Sequence, residues 1–270
     1  MERIANPFRG LLPFEEEHAA LFFGRDKEIR DVAARLEQRR LLAVTGVSGS
    51  GKSSLVKAGL IPMLRAGLLP QLGTHLHVAV MKPGGGPLFE LQQKLISALG
   101  REVRAEALAR TTYGLVDTVK PLARDESLLL VVDQFEEIFR YRKEHLKADE
   151  GEGADRFVGL LLRATEQAEV PIYVMLTMRS DFIGECAVFR GLPEALNEGH
   201  YLTPKMTRHQ LQEAIEGPLE AIGAEMDPSL VQRLLNACEE EPDSLPVLQH
   251  VLWRMFEEGQ AISTAEERVQ

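Results

Sequence analysis

The sequence predicts a three-layer α/β/α domain with a mostly parallel β-sheet, followed by a small all-α helical domain. Short apolar runs at residues 41–45, 128–132 and 172–177 alternate with amphipathic helical segments, and this alternation is typical of βαβ units. Strands that are apolar on both faces fit a sheet covered by helices on each side. After about Tyr201 the strand pattern stops and only amphipathic helical patterns follow, which indicates the second domain.

The individual elements are predicted from the spacing of their apolar residues and from signals at their ends. A further strand is expected at residues 76–81, and helices are expected at residues 25–40, 52–61, 88–99 and 155–167. In the helical domain, Thr207 and Gln210 form a capping-box pattern at the start of the first helix. Asp227 followed by Pro228 marks the start of the second helix, and the third begins at about Ser244.

Length, composition and charge exclude several classes of protein. The 270 residues are enough for an α/β domain plus a small helical one, and 44% hydrophobic with 27% charged residues excludes wholesale disorder. A net charge of -10 disfavours nucleic acid as the main partner and also a basic membrane-surface helix. Cys186 and Cys238 are too few and too far apart for a disulfide framework or a zinc site. With no secretory signal and no apolar stretch of membrane-spanning length, the sequence predicts a soluble, cytoplasmic protein without a membrane partner.

The most specific motif lies directly after the first predicted strand. Residues 46–53 read G-V-S-G-S-G-K-S and match the phosphate-binding pattern G-x-x-x-x-G-K-[ST] in full. Its glycines let successive backbone N–H groups point at a β-phosphate, and the dipole of the following helix favours the anion. Lys52 is expected between the β- and γ-phosphates, and the Ser53 hydroxyl is expected to bind Mg²⁺. The residues predicted to bind the nucleotide here are Gly46, Ser48, Gly49, Ser50, Gly51, Lys52, Ser53 and Ser54.

A nucleotide site of this kind needs a second strand that ends in an acid, which holds Mg²⁺ through water. The strand at residues 128–132 ends at Asp133, which supplies this acid. Glu136 or Glu137 would orient and deprotonate an attacking water, and Glu136 is the preferred candidate. A glutamine follows Asp133, and neither L-S-G-G-Q nor the guanine motif N-K-x-D is present, so an ABC-type ATPase and a GTPase are disfavoured.

A third functional group is expected at the end of the next strand. Arg179 lies two residues past Thr177, on a strand that is expected to flank both the phosphate-loop strand and the Asp133 strand. From there its guanidinium is expected to reach a γ-phosphate, and to have no bidentate partner when only ADP is bound. The predicted catalytic residues are Lys52, Asp133, Glu136, Glu137 and Arg179.

Together these motifs resemble the nucleotide-binding core of the STAND NTPases (signal transduction ATPases with numerous domains), and most of all their bacterial novel STAND branch. The resemblance covers nearly the whole chain. It is carried by N-P-F-R-G-L at residues 6–11, F-F-G-R-D-K-E-I at 22–29, D-Q-F-E-E-I-F at 133–139, T-M-R-S-D-F at 177–182 and L-P-V-L at 245–248.

This resemblance implies an adenine site and therefore ATP and ADP as the nucleotides. In the family the segment that corresponds to residues 22–29 cradles adenine and ribose, and a proline of the helical domain packs against the base. Phe23, Gly24, Arg25 and Pro246 are therefore expected to bind the adenosine part. Ser244 stands where the family has a glycine before this proline.

The resemblance also implies a slow ATPase that works as a switch. In such a switch ADP holds an inactive, closed monomer, exchange to ATP rotates the helical domain, and the ATP form self-associates through the full-length protein. STAND proteins of bacteria are linked to signalling, regulated cell death and phage defence, and they carry effector and sensor domains that would lie outside this chain. The implied organisation is a segment leading into the nucleotide site at residues 1–24, the NTPase domain at 25–204, the helical domain at 205–262 and a tail at 263–270, ahead of the family's winged helix.

Two alternative functions stay open at this point. The first is an AAA-like motor, a small-molecule kinase or another P-loop ATPase, although residues 205–258 hold few basic residues for the Arg-rich lid of a kinase. The second is an interaction domain that binds a nucleotide without hydrolysing it. The intact set of Lys52, Asp133 and Glu136 argues against this second alternative.

Overall fold

The computed structural model describes residues 5–122, 125–145, 152–240 and 244–267 of the chain. The chain divides into two compact units, each assembled from more than one stretch of sequence. The first unit combines Met1–Ile29, Ser48–Pro62 and Pro204–Gln270, and the second combines Arg30–Val47 and Met63–Thr203. Most of the phosphate loop therefore belongs to the same unit as the C-terminal helices.

The second unit is built on a five-stranded sheet. Its strands are β1 at Leu41–Gly46, β2 at His75–Met81, β3 at Glu126–Val132, β4 at Ile172–Arg179 and β5 at His200–Leu202. They lie in the order β2-β3-β4-β1-β5, and all neighbouring strands pair in parallel. The predicted parallel sheet is confirmed, and so is the position of β4 between β1 and β3. The three-residue strand β5 was not predicted, because so short a segment carries no periodic signal.

The central strands are buried on both faces. Every residue of β1 is buried, as are all but the first residue of β3 and all but the last of β4. Strands of this kind need cover on each side, which is the three-layer α/β/α arrangement that their apolar sequences predict. On one face, Leu130 and Leu176 pack in a core with Leu91, Phe157 and Leu161, all at most 1% exposed.

Twelve α-helical segments are described. In chain order they are α1 at Asp26–Gln38, α2 at Lys52–Ser54, α3 at Ile61–Arg65, α4 at Pro87–Leu99, α5 at Ala105–Arg110, α6 at Gly114–Val119, α7 at Glu137–His145, α8 at Glu152–Glu166, α9 at Leu192–Glu198, α10 at Arg208–Ala221, α11 at Pro228–Glu240 and α12 at Ser244–Glu267. The segments at Glu16–Leu21, Pro70–Leu72 and Ser180–Val188 are 3-10 helices. Helices α5, α6, α7 and α9 were not predicted, since six to nine residues are too few for a clear 3.6-residue pattern.

The helix after the phosphate loop changes its hydrogen-bonding pattern along its length. A π-helical segment at Leu55–Leu60 separates α2 from α3, and all six of its residues are buried. Among them is Lys57, whose ammonium lies 3.1 Å from Glu15 Oε1. π-helical turns are rare in proteins, and this one directly follows the first turn after the phosphate loop.

The first unit contains the three C-terminal helices. Phe8 of the N-terminal segment joins Leu211, Ile215, Val231, Leu235, Leu248 and Leu252 in one buried core. The predicted capping box at α10 is confirmed, because Gln210 N donates to Thr207 Oγ1 and Thr207 N donates to Gln210 Oε1. Asp227 Oδ1 accepts from Ser229 N at 2.8 Å and so caps α11 as predicted. Within the described part of the chain, no helix has both the length and the apolar character needed to cross a membrane.

Candidate nucleotide-binding site

The phosphate loop follows β1 in the chain and leads into α2. Gly49 and Gly51 have φ angles of 75° and 85°, a left-handed conformation that other residues rarely adopt. Gly51 is also the N-cap of α2, so the curled loop runs directly into the first turn of a helix. The first N–H groups of a helix lack partners within it, and such a loop is suited to hold an anion such as a phosphate.

The start of α12 lies against this loop. A Cβ atom on Gly49 would come within 2.5 Å of Pro246 Cγ, and a Cβ on Gly51 within 3.5 Å of Leu245 Cδ2. Gly49 is therefore required by space as well as by its backbone conformation. The proline that the family resemblance associates with the base thus lies beside the phosphate loop.

The polar residues at the start of α2 differ in their surroundings. Lys52 is the first residue of α2, and its ammonium lies 3.4 Å from Ser50 Oγ. Ser53, half-buried, is the next residue along the helix. Ser54 is buried, and its hydroxyl accepts a hydrogen bond from Phe14 N at 3.0 Å. Ser54 therefore ties the N-terminal segment to the phosphate-loop helix.

Of the four residues predicted to bind the adenosine part, Phe23, Gly24 and Arg25 contact protein groups on α10 and on the phosphate loop. A Cβ on Gly217 of α10 would lie 2.5 Å from Phe23 Cγ, so the Phe23 ring packs on that glycine. Gly24, with a φ of 82°, comes so close to α10 that a Cβ there would lie 2.3 Å from the Gln210 carbonyl oxygen. The Arg25 guanidinium is buried and donates to the carbonyl oxygen of Ser50 at 3.1 Å.

The ends of β3 and β4 form a tight hydrogen-bonded cluster. Asp133 is 2% exposed, and its Oδ1 accepts from the Thr177 hydroxyl at 2.6 Å. The same hydroxyl oxygen accepts from Gln134 N at 3.1 Å, and Phe135 N donates to the Thr177 carbonyl at 2.8 Å. Gln134 has a φ of 55°, the one non-glycine residue with positive φ among those described. The chain therefore turns sharply after Asp133 and is held to Thr177 through three contacts.

Glu136 and Glu137 occupy different environments. Glu137 begins α7, and its Oε2 accepts from Gly84 N at 3.0 Å, which anchors the glycine-rich loop after β2. Glu136 is half-buried, and its carboxylate acts electrostatically on Arg179. Since a general base must approach a water at the phosphates, the carboxylate that is not anchored to Gly84 is the better candidate.

Arg179, which was expected to have no bidentate partner when only ADP is bound, has a bidentate partner within the protein in this structure. Its Nε and Nη2 atoms donate to the two carboxylate oxygens of Asp181 at 3.1 and 2.6 Å. Its guanidinium also lies over the Phe182 ring, 5.5 Å from the ring centroid. A carboxylate two residues along the chain therefore supplies the fork geometry that a phosphate would offer. Asp181, followed by Glu136, raises the pKa of Arg179.

The position of Arg179 in the sheet agrees with the prediction. In the register of β1 and β4, Arg179 pairs with Gly46, the first residue of the phosphate-loop motif. Because β4 also pairs with β3, the carboxyl ends of the three strands lie at one edge of the sheet. Ligands of parallel α/β sheets bind at this edge.

Each residue predicted to hold Mg²⁺ has, taken by itself, the chemistry that this ion requires. Mg²⁺ takes oxygen ligands, keeps several waters and is held through one or two protein groups together with phosphates. Asp133 is a buried carboxylate whose Oδ1 is oriented by a neutral hydroxyl, and Ser53 supplies a hydroxyl at the start of the phosphate-loop helix. Both are hard oxygen donors, as this ion requires.

Several residues around the candidate site were missed in the sequence. Thr177 was recognised only as part of a strand end, although a polar residue near the end of an otherwise apolar strand was a usable signal. Gln210 Nε2 lies 2.9 Å from each carboxylate oxygen of Glu28. The two residues are 182 positions apart in the chain, and no local pattern predicts such a pair.

Solved structures with similar folds are nucleotide-associated proteins of low sequence identity. The ORC2 protein of Aeropyrum pernix in its ADPNP-ADP complexes has a TM-score of 0.59 at 12% identity, over 90% of this chain and 64% of that chain. Its ADP form has a TM-score of 0.59 at 14% identity, over 88% of this chain and 63% of that one. A Walker-type ATPase of Pyrococcus abyssi has a TM-score of 0.59 at 16% identity, over 95% and 74% of the two chains. This chain therefore has the fold of P-loop ATPases, and it spans under two thirds of the ORC2 protein.

The sequence comparisons define the family directly. No curated protein matches the chain. The family described as Novel STAND NTPase 1, nSTAND1, matches residues 7–268, which include the phosphate loop, the strand-end cluster and all three C-terminal helices. The chain therefore belongs to the novel STAND NTPase family nSTAND1.

Proposed function

We propose that this chain binds ATP and ADP at the phosphate loop and hydrolyses ATP slowly, as the switch of a larger signalling protein. The observation that carries the proposal is the pairing of Arg179 with Gly46 across β4 and β1, with Asp133 at the end of the neighbouring β3. This arrangement brings a cation and a carboxylate to the sheet edge at which the phosphate-binding motif begins. Membership of an NTPase family supports the same function.

Each chemical task of phosphate-loop ATP hydrolysis has a residue suited to it. Lys52 would neutralise the β- and γ-phosphates, Ser53 and Asp133 would hold Mg²⁺, and Arg179 would contact the γ-phosphate. Mg²⁺, when bound with the nucleotide, would neutralise phosphate charge. Glu136 would orient a water for attack and accept its proton. The adenosine part would lie near Phe23, Gly24, Arg25 and Pro246.

The proposed switch depends on the difference between ATP and ADP. A ligand shifts a conformational equilibrium only through contacts that differ between the two states. Arg179 supplies such a contact, because in this structure it pairs with Asp181 and would exchange that partner for a γ-phosphate. The proposed ADP form is closed and inactive, and the proposed ATP form self-associates through the full-length protein.

The proposal extends to the whole protein of which this chain is the nucleotide-binding part. It places the segment 1–24, the NTPase domain 25–204 and the helical domain 205–262 beside effector and sensor domains of bacterial signalling or phage defence. It also places the protein in the cytoplasm. A structure of Drosophila ORC bound to DNA has the same fold at 16% identity, but the net charge of -10 favours a free nucleotide over a nucleic-acid backbone as the ligand here.

Calorimetric titration of ATP and ADP into wild-type protein and Lys52→Ala tests the binding step. Lys52→Ala leaves phosphate charge unpaired, so ATP affinity is expected to fall at least about tenfold. Unchanged affinity would show that the loop does not bind the phosphates. Phosphate release with and without Mg²⁺ then separates a hydrolase from a domain that only binds, and phosphate transfer to a small molecule instead of water would identify a kinase.

A further inference from the structure

A buried ion pair lies at the start of α1, where sequence resemblance had placed an adenosine contact. Arg25 and Glu28 are each 3% exposed, and Arg25 Nη1 lies 3.5 Å from Glu28 Oε1. Burial of a charge is strongly unfavourable unless the charge is paired and hydrogen-bonded. The hydrogen-bond partners of Arg25 and Glu28 therefore indicate the role of this ion pair.

The Arg25 guanidinium spans two backbone carbonyls from distant parts of the chain. Its Nη2 donates to the carbonyl oxygen of Ser50 in the phosphate loop at 3.1 Å, and its Nη1 donates to the carbonyl oxygen of Pro204 at 3.0 Å. Pro204 lies four residues before α10. The rigid fork of an arginine can hold two such acceptors at once, whereas the single ammonium of a lysine cannot reproduce the geometry.

Glu28 is held in turn from α10. Gln210 Nε2 lies 2.9 Å from each of the Glu28 carboxylate oxygens, while Gln210 Oε1 accepts from Thr207 N in the capping box. The adjacent Gly24 leaves no space between its backbone and the Gln210 carbonyl. The position of the guanidinium is thus set by groups on two helices.

The contact with Ser50 has a direct consequence for the phosphate loop. A loop that aims its N–H groups at a phosphate must direct carbonyl groups away from it, and a buried carbonyl needs a hydrogen-bond donor. A charged guanidinium is a stronger donor than a neutral group, so it opposes rotation of the peptide that would turn the Ser50 carbonyl inward.

We infer that Arg25 is a positioning residue of the phosphate loop, which it orients through the Ser50 carbonyl, with Glu28 and Gln210 holding it in place. The inference rests on the proposed nucleotide binding and specifies which part of the nucleotide depends on Arg25. A positioning role predicts that the triphosphate portion loses affinity when Arg25 is replaced. A direct contact with adenine or ribose predicts that the adenosine portion does.

The affinities for the two portions of the nucleotide are measured separately, by displacing a bound fluorescent ADP analogue with either adenosine or inorganic tripolyphosphate. Wild-type protein must first bind the analogue, and if it does not, the proposed function fails rather than this inference. Arg25→Met is expected to weaken tripolyphosphate at least about tenfold and to leave adenosine unchanged within about twofold. Arg25→Lys is expected to restore only part of the loss.

Two further variants control for general loss of structure. Arg25→Met combined with Glu28→Gln leaves no unpaired buried charge, and it is expected to show the same selective loss if Arg25→Met alone does not fold. Arg208→Met removes another ion-paired arginine of the same unit, which contacts Glu239 at 2.7 Å, and should change neither affinity. Three results would each overturn the positioning role: a loss of affinity for adenosine alone, an equal loss of affinity for both ligands, or unchanged affinities in the double variant.

Discussion

The Thr177 hydroxyl donates a hydrogen bond to Asp133 Oδ1 at 2.6 Å, and so joins the ends of β4 and β3 at the sheet edge. Thr177 is itself 2% exposed, and its hydroxyl oxygen also accepts from Gln134 N. One side chain therefore orients the acid proposed to hold Mg²⁺ and stabilises the positive φ of the residue that follows it.

Thr177→Val, which keeps the shape but removes the hydroxyl, is expected to destabilise the protein. The change leaves a buried carboxylate oxygen and the Gln134 N–H without this partner, and the expected loss is about 1–3 kcal/mol in chemical denaturation. The Mg²⁺ concentration needed for half-maximal nucleotide binding should also rise. Thr177→Ser keeps the hydroxyl and should retain wild-type Mg²⁺ dependence; if it behaves as valine does, lost packing is the cause.

Glu136→Gln and Glu137→Gln are expected to separate the two glutamates. Glutamine at 136 cannot accept a proton, so ATP hydrolysis should fall at least about a hundredfold while ATP binding is retained. Glutamine at 137 can still accept from Gly84 N through its amide oxygen, so turnover should stay within a few-fold of wild type. The measurement is phosphate release at saturating ATP. A larger loss of turnover in Glu137→Gln than in Glu136→Gln would assign activation of the attacking water to Glu137.

Arg179→Ala is expected to weaken ATP binding about tenfold or more and to leave ADP binding nearly unchanged, since the proposed partner is the γ-phosphate. Calorimetry with both nucleotides measures the difference. Asp181→Asn is the informative companion variant, because it removes the charge that competes for the Arg179 guanidinium. It should increase the preference for ATP over ADP by about two- to five-fold, as expected for an exposed ion pair. A loss of ATP and ADP affinity by equal factors in Arg179→Ala would make this arginine a structural residue.

His200 is expected to make stability depend on pH. Its Nε2 lies 2.6 Å from the buried Thr45 hydroxyl, and burial, followed by the charge of Arg35, lowers the pKa of His200. The unfolded chain therefore takes up this proton at higher pH than the folded protein does. The contribution of His200 is present above the ordinary histidine pKa of about 6.5 and is lost as the pH falls through the folded value.

Urea denaturation of wild-type protein and His200→Gln between about pH 8 and pH 5 measures this contribution. The difference in unfolding free energy between the two proteins isolates His200 from the other histidines, and wild-type protein should lose more stability on acidification. Parallel pH profiles of the two proteins would show that His200 does not contribute.

The sequence by itself determined those features that depend on residues close together in the chain. Apolar runs predicted β1 to β4, capping signals predicted the starts of α10 and α11, and the loop at residues 46–53 has the left-handed glycines that its motif requires. These features are local, because backbone conformation and hydrogen-bonding capacity are set within a few residues.

The tertiary structure decided the partners of those charged side chains that contact distant parts of the chain. No local pattern could assign Arg25 to the carbonyls of Ser50 and Pro204, the latter 179 positions away. The contact of Arg179 with Asp181 is local, two residues along the chain, and was overlooked in the sequence. A guanidinium can satisfy its donors with carboxylate, carbonyl or phosphate, so its choice depends on what folding brings within about 3 Å. The residue types therefore specify the chemistry that is possible, and the three-dimensional arrangement specifies which groups carry it out.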